Sequence, residues 1–272
     1  MLQNLFQDLQ YALRQLWKSP GFTITAVLTL AIGIGVNTAT FSIMDAVVLR
    51  PLAVPELNRV VTVAEQQNHG DSQPVSLANF EDWQRQSKSF EVLAVLNETD
   101  MSLTGAGDAA RVRVDTASPS FFSVMRTSAF VGRVFNEGEA QPGRSSEAVL
   151  SYAFWKSHFG ADTAVLGRKI ELDQHAYTVI GVMPKAMQYP SRGDLFLPFA
   201  PDATQLANRT ARDFLVLGRL RTGVTTGQAQ AEMNVIAEHL SLAYPATNQG
   251  RQVKVESLLD GINGDYVVLV VM

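Results

Sequence analysis

The 272-residue chain contains no cysteine. Without thiols it cannot form disulfide bonds, and it cannot build metal sites from thiolate ligands. A chain of this composition can function in an oxidising compartment, although the absence of cysteine does not require one. Cysteine chemistry is therefore excluded from every function considered below.

Sequence motifs that mark several enzyme classes are also missing. No lysine follows a glycine, so the G-x-x-x-x-G-K-[ST] loop that binds nucleotide phosphates is absent. The G-x-S-x-G sequence of serine hydrolases and the H-E-x-x-H sequence of zinc proteases are absent as well. Widely spaced histidines are better explained as surface or packing residues than as ligands; they are His69, His158, His175 and His239. We expect no catalytic residue, no metal site and no cofactor in this chain.

Charge is missing from one long stretch, Ser19–Met44, around which the rest of the chain is organised. Because a helix needs roughly 20 mainly apolar residues to cross a bilayer, this stretch predicts a transmembrane helix within residues 19–50. The alternatives are a buried helix of a soluble protein and a cleaved signal peptide. Uncharged runs of this length are uncommon in soluble proteins, and a signal peptide has a shorter apolar region followed by a small-x-small site.

One face of this helix carries only small residues at a spacing of four, namely Ala31, Gly35 and Ala39. Small residues on one face let a second helix approach closely in lipid, so we predict that this face packs against another membrane helix. The stretch also contains threonines and Asn37, which favour a helix bundle over a lone anchor. The alternative is that the hydroxyl groups bond to carbonyls of their own helix.

Residues 1–18 precede the uncharged stretch and alternate in polarity with the period of a helix. We predict an amphipathic helix that lies on the membrane surface and ends at Pro20-Gly21. Arg14 and Lys18 lie before the span, which favours a cytoplasmic N-terminus, although basic residues after the span weaken this bias. Membrane lipid is thus one expected partner.

The part from Asp45 to Met272 has the composition of a folded domain, with 20 basic and 25 acidic side chains. The charges are scattered and no basic patch is present, so nucleic acid is not an expected partner. Alternating apolar strands and short helices predict an α+β fold. The predicted strands and helices are Arg59–Glu65, a helix from Ser76 to Gln86, Phe90–Leu103, Ala110–Thr116, a helix opened by Ser118-Pro119, Glu147–Leu150, Tyr152–Phe159 and a hairpin from Arg168 to Val182.

A second strand-helix-strand unit follows, with strands at Phe214–Arg221 and Gln252–Leu258 around a helix at Thr226–Ala243. The helix has an apolar stripe of period 3.6 that predicts a core-facing side. Segments 66–74, 135–146 and 190–212 are rich in glycine, proline and polar residues, so we predict loops or lids there. The closing residues 263–272 resemble the start of a truncated second transmembrane segment.

Several long motifs in a fixed order are similar to the permeases of the MacB/FtsX type of ABC transporter. They are TLAIGIGVNTATFSIMDAVVLRPL (Thr29–Leu52), VLSYAFWKSHFG (Val149–Gly160), VLGRKIELDQHAYTVIGVMP (Val165–Pro184) and LGRLRTGVTTGQAQAEM (Leu217–Met233). The resemblance covers nearly the whole chain and implies a fragment of a permease of the bacterial inner membrane, with most of the chain extracytoplasmic and three further transmembrane helices beyond it.

The same resemblance implies an extracytoplasmic core domain at residues 51–262, made of βαβ units. A porter-like subdomain would combine residues 51–117 and 214–262, and a smaller subdomain would be inserted at residues 118–213. The implied partners are a cytoplasmic ABC ATPase that binds the ATP, a second permease copy and a periplasmic adaptor protein. The implied function is to couple ATP hydrolysis to extracytoplasmic conformational change, for efflux or mechanotransmission, with no catalytic residue in the chain itself.

Two other functions remain open from the residues. A single-span, membrane-anchored binding or sensor domain would use Ala31, Gly35 and Ala39 for dimerisation. An anchored hydrolase is disfavoured because the nucleophile and metal motifs are missing. The identity of the transported substrate or extracytoplasmic target is not encoded in any motif.

Overall fold

The computed structural model describes residues 18–44, 54–67, 70–105, 109–187 and 193–260. The chain divides into two compact units, Met1–Pro51 and Leu52–Met272. We call the second one the core unit. The predicted amphipathic helix falls almost wholly outside the described residues, as does the closing segment 263–272.

The first unit contains helix α1, Pro20–Met44. Three threonine hydroxyls donate to carbonyls four residues earlier, from Thr23 to Ser19 (3.0 Å), from Thr25 to Gly21 (2.9 Å) and from Thr29 to Thr25 (2.8 Å). The hydroxyl groups of these three threonines therefore bond within their own helix, which is the alternative to bonding with a neighbouring helix. Among the described residues, no helix combines the length and apolar character that a membrane span requires.

The described part of the core unit is built on one mixed sheet of eleven strands. In chain order the strands are β1 (Val60–Gln67), β2 (Ser72–Gln73), β3 (Phe90–Thr104), β4 (Ala110–Ala117), β5 (Val131–Gly132), β6 (Glu147–Leu150), β7 (Lys169–Leu172), β8 (His175–Val182), β9 (Leu195–Pro198), β10 (Leu215–Leu220) and β11 (Arg251–Ser257). The main path through the sheet is β11-β1-β10-β3-β4-β9-β6-β8-β5. The α+β class predicted from the pattern is confirmed.

Among the described residues, six α-helices accompany this sheet: α2 (Leu77–Gln86), α3 (Ser120–Met125), α4 (Tyr152–His158), α5 (Ala203–Ala207), α6 (Thr226–Ala243) and α7 (Pro245–Asn248). The predicted N-cap of α2 is confirmed, because the Ser76 side chain accepts a hydrogen bond from the Asn79 amide. Helix α6 has the predicted bounds and opens with a capping box between Thr225 and Gln228. Helix α3 begins one residue later than predicted, so Pro119 occupies the cap position.

Two split strand-helix-strand units form one end of the sheet path. In the first, β1 and β3 flank β10 and are joined through α2; in the second, β10 and β11 flank β1 and are joined through α6. All neighbouring strands in this part are antiparallel, so the strands within each unit run parallel to each other. Apart from β2, which pairs with β1, and α7, which precedes β11, the remaining strands and helices lie between β3 and β10 in sequence.

Alternating side chains of these strands build a core on each face of the sheet. One cluster packs Val61, Val95 and Val216 against α2 and α6, and the predicted apolar stripe of α6 is buried in it. A second cluster packs Ala94 and Leu217 against α3. A third surrounds α4 and strands β6 to β9. The core unit therefore carries its own hydrophobic interior.

The prediction of loops was wrong for part of segment 190–212. Strand β9 lies there, fully buried, parallel to β4 and antiparallel to β6, and the short helix α5 follows it. A strand of four apolar residues shows no alternation, since both of its faces are covered by protein. The glycine, proline and polar residues on either side of β9 therefore led to the prediction of a loop.

Candidate functional site at the junction end

The first strand of the core unit starts at the same end of the sheet at which the last described strand stops. Val61, at the start of β1, pairs with Ser257, at the end of β11. Val54 and Leu57 precede β1, Leu258 follows β11, and all three side chains are buried in the same hydrophobic cluster. We call this end the junction end, and residues Val54–Arg59 the leading segment.

Arg219 is the central side chain of the junction end. It lies in β10 and is completely buried. Its Nε donates to the carbonyl of Val124 in α3 (2.8 Å), and its Nη2 donates to the carbonyl of Pro55 in the leading segment (3.0 Å). A longer bond of 3.5 Å joins Nη1 to the carbonyl of Glu56. One guanidinium thus links three pieces of chain that are distant in sequence.

The Glu56 carboxylate faces three guanidinium groups. It forms ion pairs with Arg59, with Arg126 (2.8 Å) and with Arg219 (3.8 Å). Glu91 supplies a second carboxylate, 2.6 Å from Arg59 and 3.7 Å from Arg126. Three positive charges therefore surround two negative ones at the junction end.

Burial has the largest effect on the charge of Arg219. Desolvation, followed by repulsion from Arg126 and Arg59, lowers the pKa of Arg219 from its ordinary value. A guanidinium remains charged in proteins, so the burial of Arg219 is tolerated only because carbonyls and carboxylates surround it. Removing these partners would leave a buried charge without compensation.

Two residues of the cluster have a strained backbone. Glu56 (φ 50°) and Arg126 (φ 46°) both lie in the left-handed region, which non-glycine residues avoid. Such conformations cost roughly 1–3 kcal/mol each and persist only where the surroundings impose them. Here the Arg126–Glu56 ion pair joins the two strained residues directly. The leading segment is therefore held in a defined geometry against α3.

A second buried network lies near the opposite end of β1. The Glu65 carboxylate accepts hydrogen bonds from Asn79 (2.8 Å), from the Ser76 amide (3.2 Å), from Arg212 (2.7 Å) and from Arg251 (3.4 Å). These contacts connect β1, α2, β11 and the segment that leads into β10. The network holds the return of the chain from β9 to β10 in place.

The predicted packing residues Ala31, Gly35 and Ala39 all lie in α1. Ala31 and Gly35 are exposed, and a Cβ atom built on Gly35 would meet no atom within 4 Å. The side chain of Ala39 lies outside what the structure describes. The packing role of the three residues stays a prediction.

Arg219, Glu56 and Glu65 were not singled out from the sequence. Arg219 and Glu65 could have been found as charged residues inside apolar strands, LVLGRL at Leu215–Leu220 and VVTVAEQQ at Val60–Gln67. Buried charges of this kind require partners. Among the described residues, no group of three or more histidine, aspartate and glutamate side chains is arranged to hold a metal ion.

Comparison with solved structures finds the same fold in transport proteins. The chain superimposes on a domain described as a permease protein from Porphyromonas gingivalis (TM-score 0.58, 15% identity, 75% of this chain and 92% of that one). It also superimposes on the periplasmic region of MacB from Actinobacillus actinomycetemcomitans (TM-score 0.57, 14% identity, 82% and 98%). A third match is the extracellular domain of the noncanonic ABC-type transporter YknZ from Gram-positive bacteria (TM-score 0.52, 12% identity, 72% and 99%).

Sequence comparison gives the family. No protein of curated function matches the chain significantly. The family profile of the MacB-like periplasmic core domain matches residues 23–236, which is most of the chain. This agrees with the resemblance carried by the four long motifs, and the chain belongs to the family of the MacB-like periplasmic core domain.

Proposed function

We propose that the chain acts as a permease subunit of a MacB/FtsX-type ABC transporter. In this proposal α1 is part of the first transmembrane helix, and the core unit lies outside the cytoplasm of a bacterial inner membrane. A separate cytoplasmic ATPase binds and hydrolyses ATP, while this chain holds no cofactor and catalyses no reaction. The family assignment supports the proposal, as does the uncharged stretch Ser19–Met44.

The observation that carries the proposal is the linkage made by Arg219. A subunit that transmits movement must connect the chain arriving from the membrane to the interior of its outer domain. Arg219 makes that connection, since it bonds the carbonyl of Pro55 in the leading segment and the carbonyl of Val124 in α3. Its own strand, β10, is flanked by β1 and β3 inside the sheet.

A displacement of the leading segment would therefore pull on two elements at once. Charge-assisted hydrogen bonds of 2.8–3.0 Å resist stretching, and a closely packed interior transmits strain rather than absorbing it. Because the start of β1 lies beside the end of β11, helices attached before β1 and after β11 would act on the same edge of the domain. The outcome would be efflux or mechanotransmission.

The proposed partners follow from the same role. They are a cytoplasmic ABC ATPase, a second permease copy, a periplasmic adaptor protein and membrane lipid. Packing between permease helices would use the small-residue face of Ala31, Gly35 and Ala39. Within the core unit, residues 51–117 and 214–262 would act as the porter-like part around an inserted part at 118–213.

The test is hydrogen exchange on the complete permease bound to its ATPase, with and without ATP. We expect ATP to change the exchange of backbone amides in the leading segment and in α3. Replacing Arg219 by methionine should abolish the change in α3 while leaving that in the leading segment. The matched variant Arg111→Met removes a guanidinium that is highly exposed, and it should leave both changes intact.

The milder variant Arg219→Lys keeps a positive charge but not the forked geometry of the guanidinium. It should fold and transmit less, which separates loss of coupling from loss of folding. A wild-type complex in which ATP alters neither region would contradict the proposed mechanism. An α3 response that survives in Arg219→Met would remove Arg219 from the route.

A further inference from the structure

Strand β11 lies at one edge of the described sheet. It pairs with β1 along its whole length, and no described strand lies on its other side. The residues of an antiparallel strand point their N–H and C=O groups to its two sides in alternation, so every second residue of β11 faces away from β1. Such an edge is a template for pairing with another chain unless something covers it.

The side chain of Gln230, in α6, binds this edge at its midpoint. Its Nε2 donates to the carbonyl of Val253 (2.6 Å), and its Oε1 accepts from the amide of Val255 (2.8 Å). One residue of a parallel neighbouring strand would make the same two bonds around Lys254, so the carboxamide takes the place of a strand. The segments of β11 that remain on either side of these three residues are shorter than a usual strand, which has at least about three residues.

The partners of the carboxamide also fix its orientation. The Gln230 Nε2 donates a second hydrogen bond to Asn234 Oδ1 (2.7 Å), one turn further along α6. If the amide turned over, its NH2 group would face the Val255 amide and its oxygen would face the Val253 carbonyl, so both edge bonds would be lost. A groove of about 720 Å³, lined by Gln230, Asn234 and Val253, leads to this part of the edge. A strand from outside therefore has room to approach.

The outer side of β11 is complementary to a second copy of itself. In antiparallel pairing centred on Val255, the two Val255 residues would exchange two hydrogen bonds, and Val253 of each copy would exchange two with Ser257 of the other, about six bonds in all. The Val253 carbonyls and the Val255 amides take part in about four of these six bonds. Gln230 therefore occupies most of the groups that the pairing needs.

The charges of β11 suit the same register. Lys254 and Glu256 lie on the face opposite the buried Val253 and Val255, and within the strand they pair with each other at 2.9 Å. In copies centred on Val255, Lys254 of one copy lies opposite Glu256 of the other, so opposite charges meet on both sides of the central pair. The register brings no like charges together, which favours a second copy as the partner of this edge.

We propose that the β11 edge is a pairing surface for a second copy of this chain, and that the Gln230 carboxamide keeps it closed. The carboxamide satisfies the edge as a neighbouring strand would, so the closed edge gains little from pairing. Exposed ion pairs contribute little, which leaves the backbone bonds to decide whether two copies pair. The proposal does not depend on the transport function, since it involves neither an ATPase nor the leading segment.

The test is hydrogen exchange on the full chain in detergent micelles over a range of protein concentrations. Gln230→Met keeps the length of the side chain and suits a helix, but it loses the donor to Val253 and the strong acceptor for Val255. In this variant we expect the Val255 amide to exchange faster in dilute protein, and the Ser257 amide to exchange about tenfold more slowly as the concentration rises. The wild type should show neither change. Gln84→Met, at an exposed position of α2, is the matched control and should behave as the wild type.

A charge reversal tests the register. In the Gln230→Met background, Lys254→Glu places like charges opposite each other across the two copies, so it should weaken the protection of Ser257 by about tenfold. Lys169→Glu reverses an exposed lysine of β7, away from this edge, and should leave the protection unchanged. Gln230→Glu keeps the size of the side chain and one of the two edge bonds, so it should fold and show a smaller effect than Gln230→Met.

Three results would overturn the proposal. A Ser257 amide whose exchange in Gln230→Met does not depend on protein concentration would show that no second copy pairs there. The same concentration dependence in the wild type would show that Gln230 does not close the edge. Equal effects of Lys254→Glu and Lys169→Glu would place the contact between copies elsewhere.

Discussion

The Nε atom of Arg212 lies 2.7 Å from a carboxylate oxygen of Glu65, and both side chains are largely withdrawn from water. The two residues are 147 positions apart, and their contact fixes the return of the chain from β9 onto the end of β1. A buried ion pair is weak support for stability on its own, but breaking one by removing a single partner is costly. The core unit therefore depends on both members being present.

Replacing Glu65 by alanine should destabilise the core unit by about 3–5 kcal/mol, because the guanidinium groups of Arg212 and Arg251 lose their common counter-charge. Glu65→Gln should cost less, since its amide oxygen can still accept from Asn79. Urea unfolding of residues 51–262, followed by the fluorescence of the buried Trp83 and Trp155, measures both values. The exposed Glu137→Gln is the control, and a cost for Glu65→Ala as small as that of the control would show that the network contributes little.

A second prediction concerns a glycine in β8. A Cβ atom at Gly181 would lie 2.1 Å from the carbonyl oxygen of Arg133, which belongs to the backbone and cannot turn aside. Gly181→Ala should therefore destabilise the core unit by about 1–3 kcal/mol. Gly227→Ala, in the first turn of α6, meets no atom within 4 Å and should stabilise it by about 0.5–1 kcal/mol. Urea midpoints that shift in the same direction for both would contradict the steric explanation.

The pH dependence of stability should contain a contribution from Glu139. The hydrogen bond from Arg133 lowers the pKa of Glu139 below its ordinary value of 4.5. A carboxyl group with a lowered folded pKa contributes stability that is present above the unfolded pKa and is lost as the pH falls through the folded pKa. Because Arg133 is about half exposed, solvent screening limits the effect to about 1 kcal/mol or less.

The Tm of Glu139→Gln should accordingly lie below that of the wild type at neutral pH. The difference should shrink as the pH falls below about 4.5, because Glu139 is protonated there in the unfolded wild type, and it should vanish once the pH passes the lowered folded-state pKa. Glu137→Gln, two residues away and exposed, should show no such convergence. A Tm difference that stays constant down to strongly acidic pH would mean that packing, not charge, makes the contribution.

Local patterns were sufficient to predict most of the core unit from its sequence. Helix α6 has both a capping signal at Thr225 and an apolar stripe, and the β7–β8 hairpin turns at Asp173-Gln174, where both residues have positive φ. These signals lie within a few residues of the element that they specify. Strand β9 has no comparable local signal, because its identity comes from β4 and β6 on either side.

The junction end could not be predicted for a related reason. Arg219 bonds carbonyls that are 95 and 164 positions away, and no short motif encodes such pairs. The sequence shows only that a charged residue interrupts an apolar strand, which requires a partner without naming it.

The last prediction concerns the small-residue face of α1, and it tests the packing role of Ala31, Gly35 and Ala39 in the complete permease. Gly35→Leu should weaken assembly, since a branched side chain on this face holds a neighbouring helix away. Gly33→Leu makes the same chemical change about 200° around the helix, so it should leave assembly intact.

Assembly can be measured by disulfide crosslinking, because the chain has no cysteine of its own. A single Thr38→Cys substitution, on the same face as Ala31, then forms a crosslink where two copies of α1 are in contact. We expect the crosslinked fraction to fall about tenfold for Gly35→Leu alone, a loss of about 1.4 kcal/mol in association. Equal yields for the two leucine variants would show that α1 does not associate through this face.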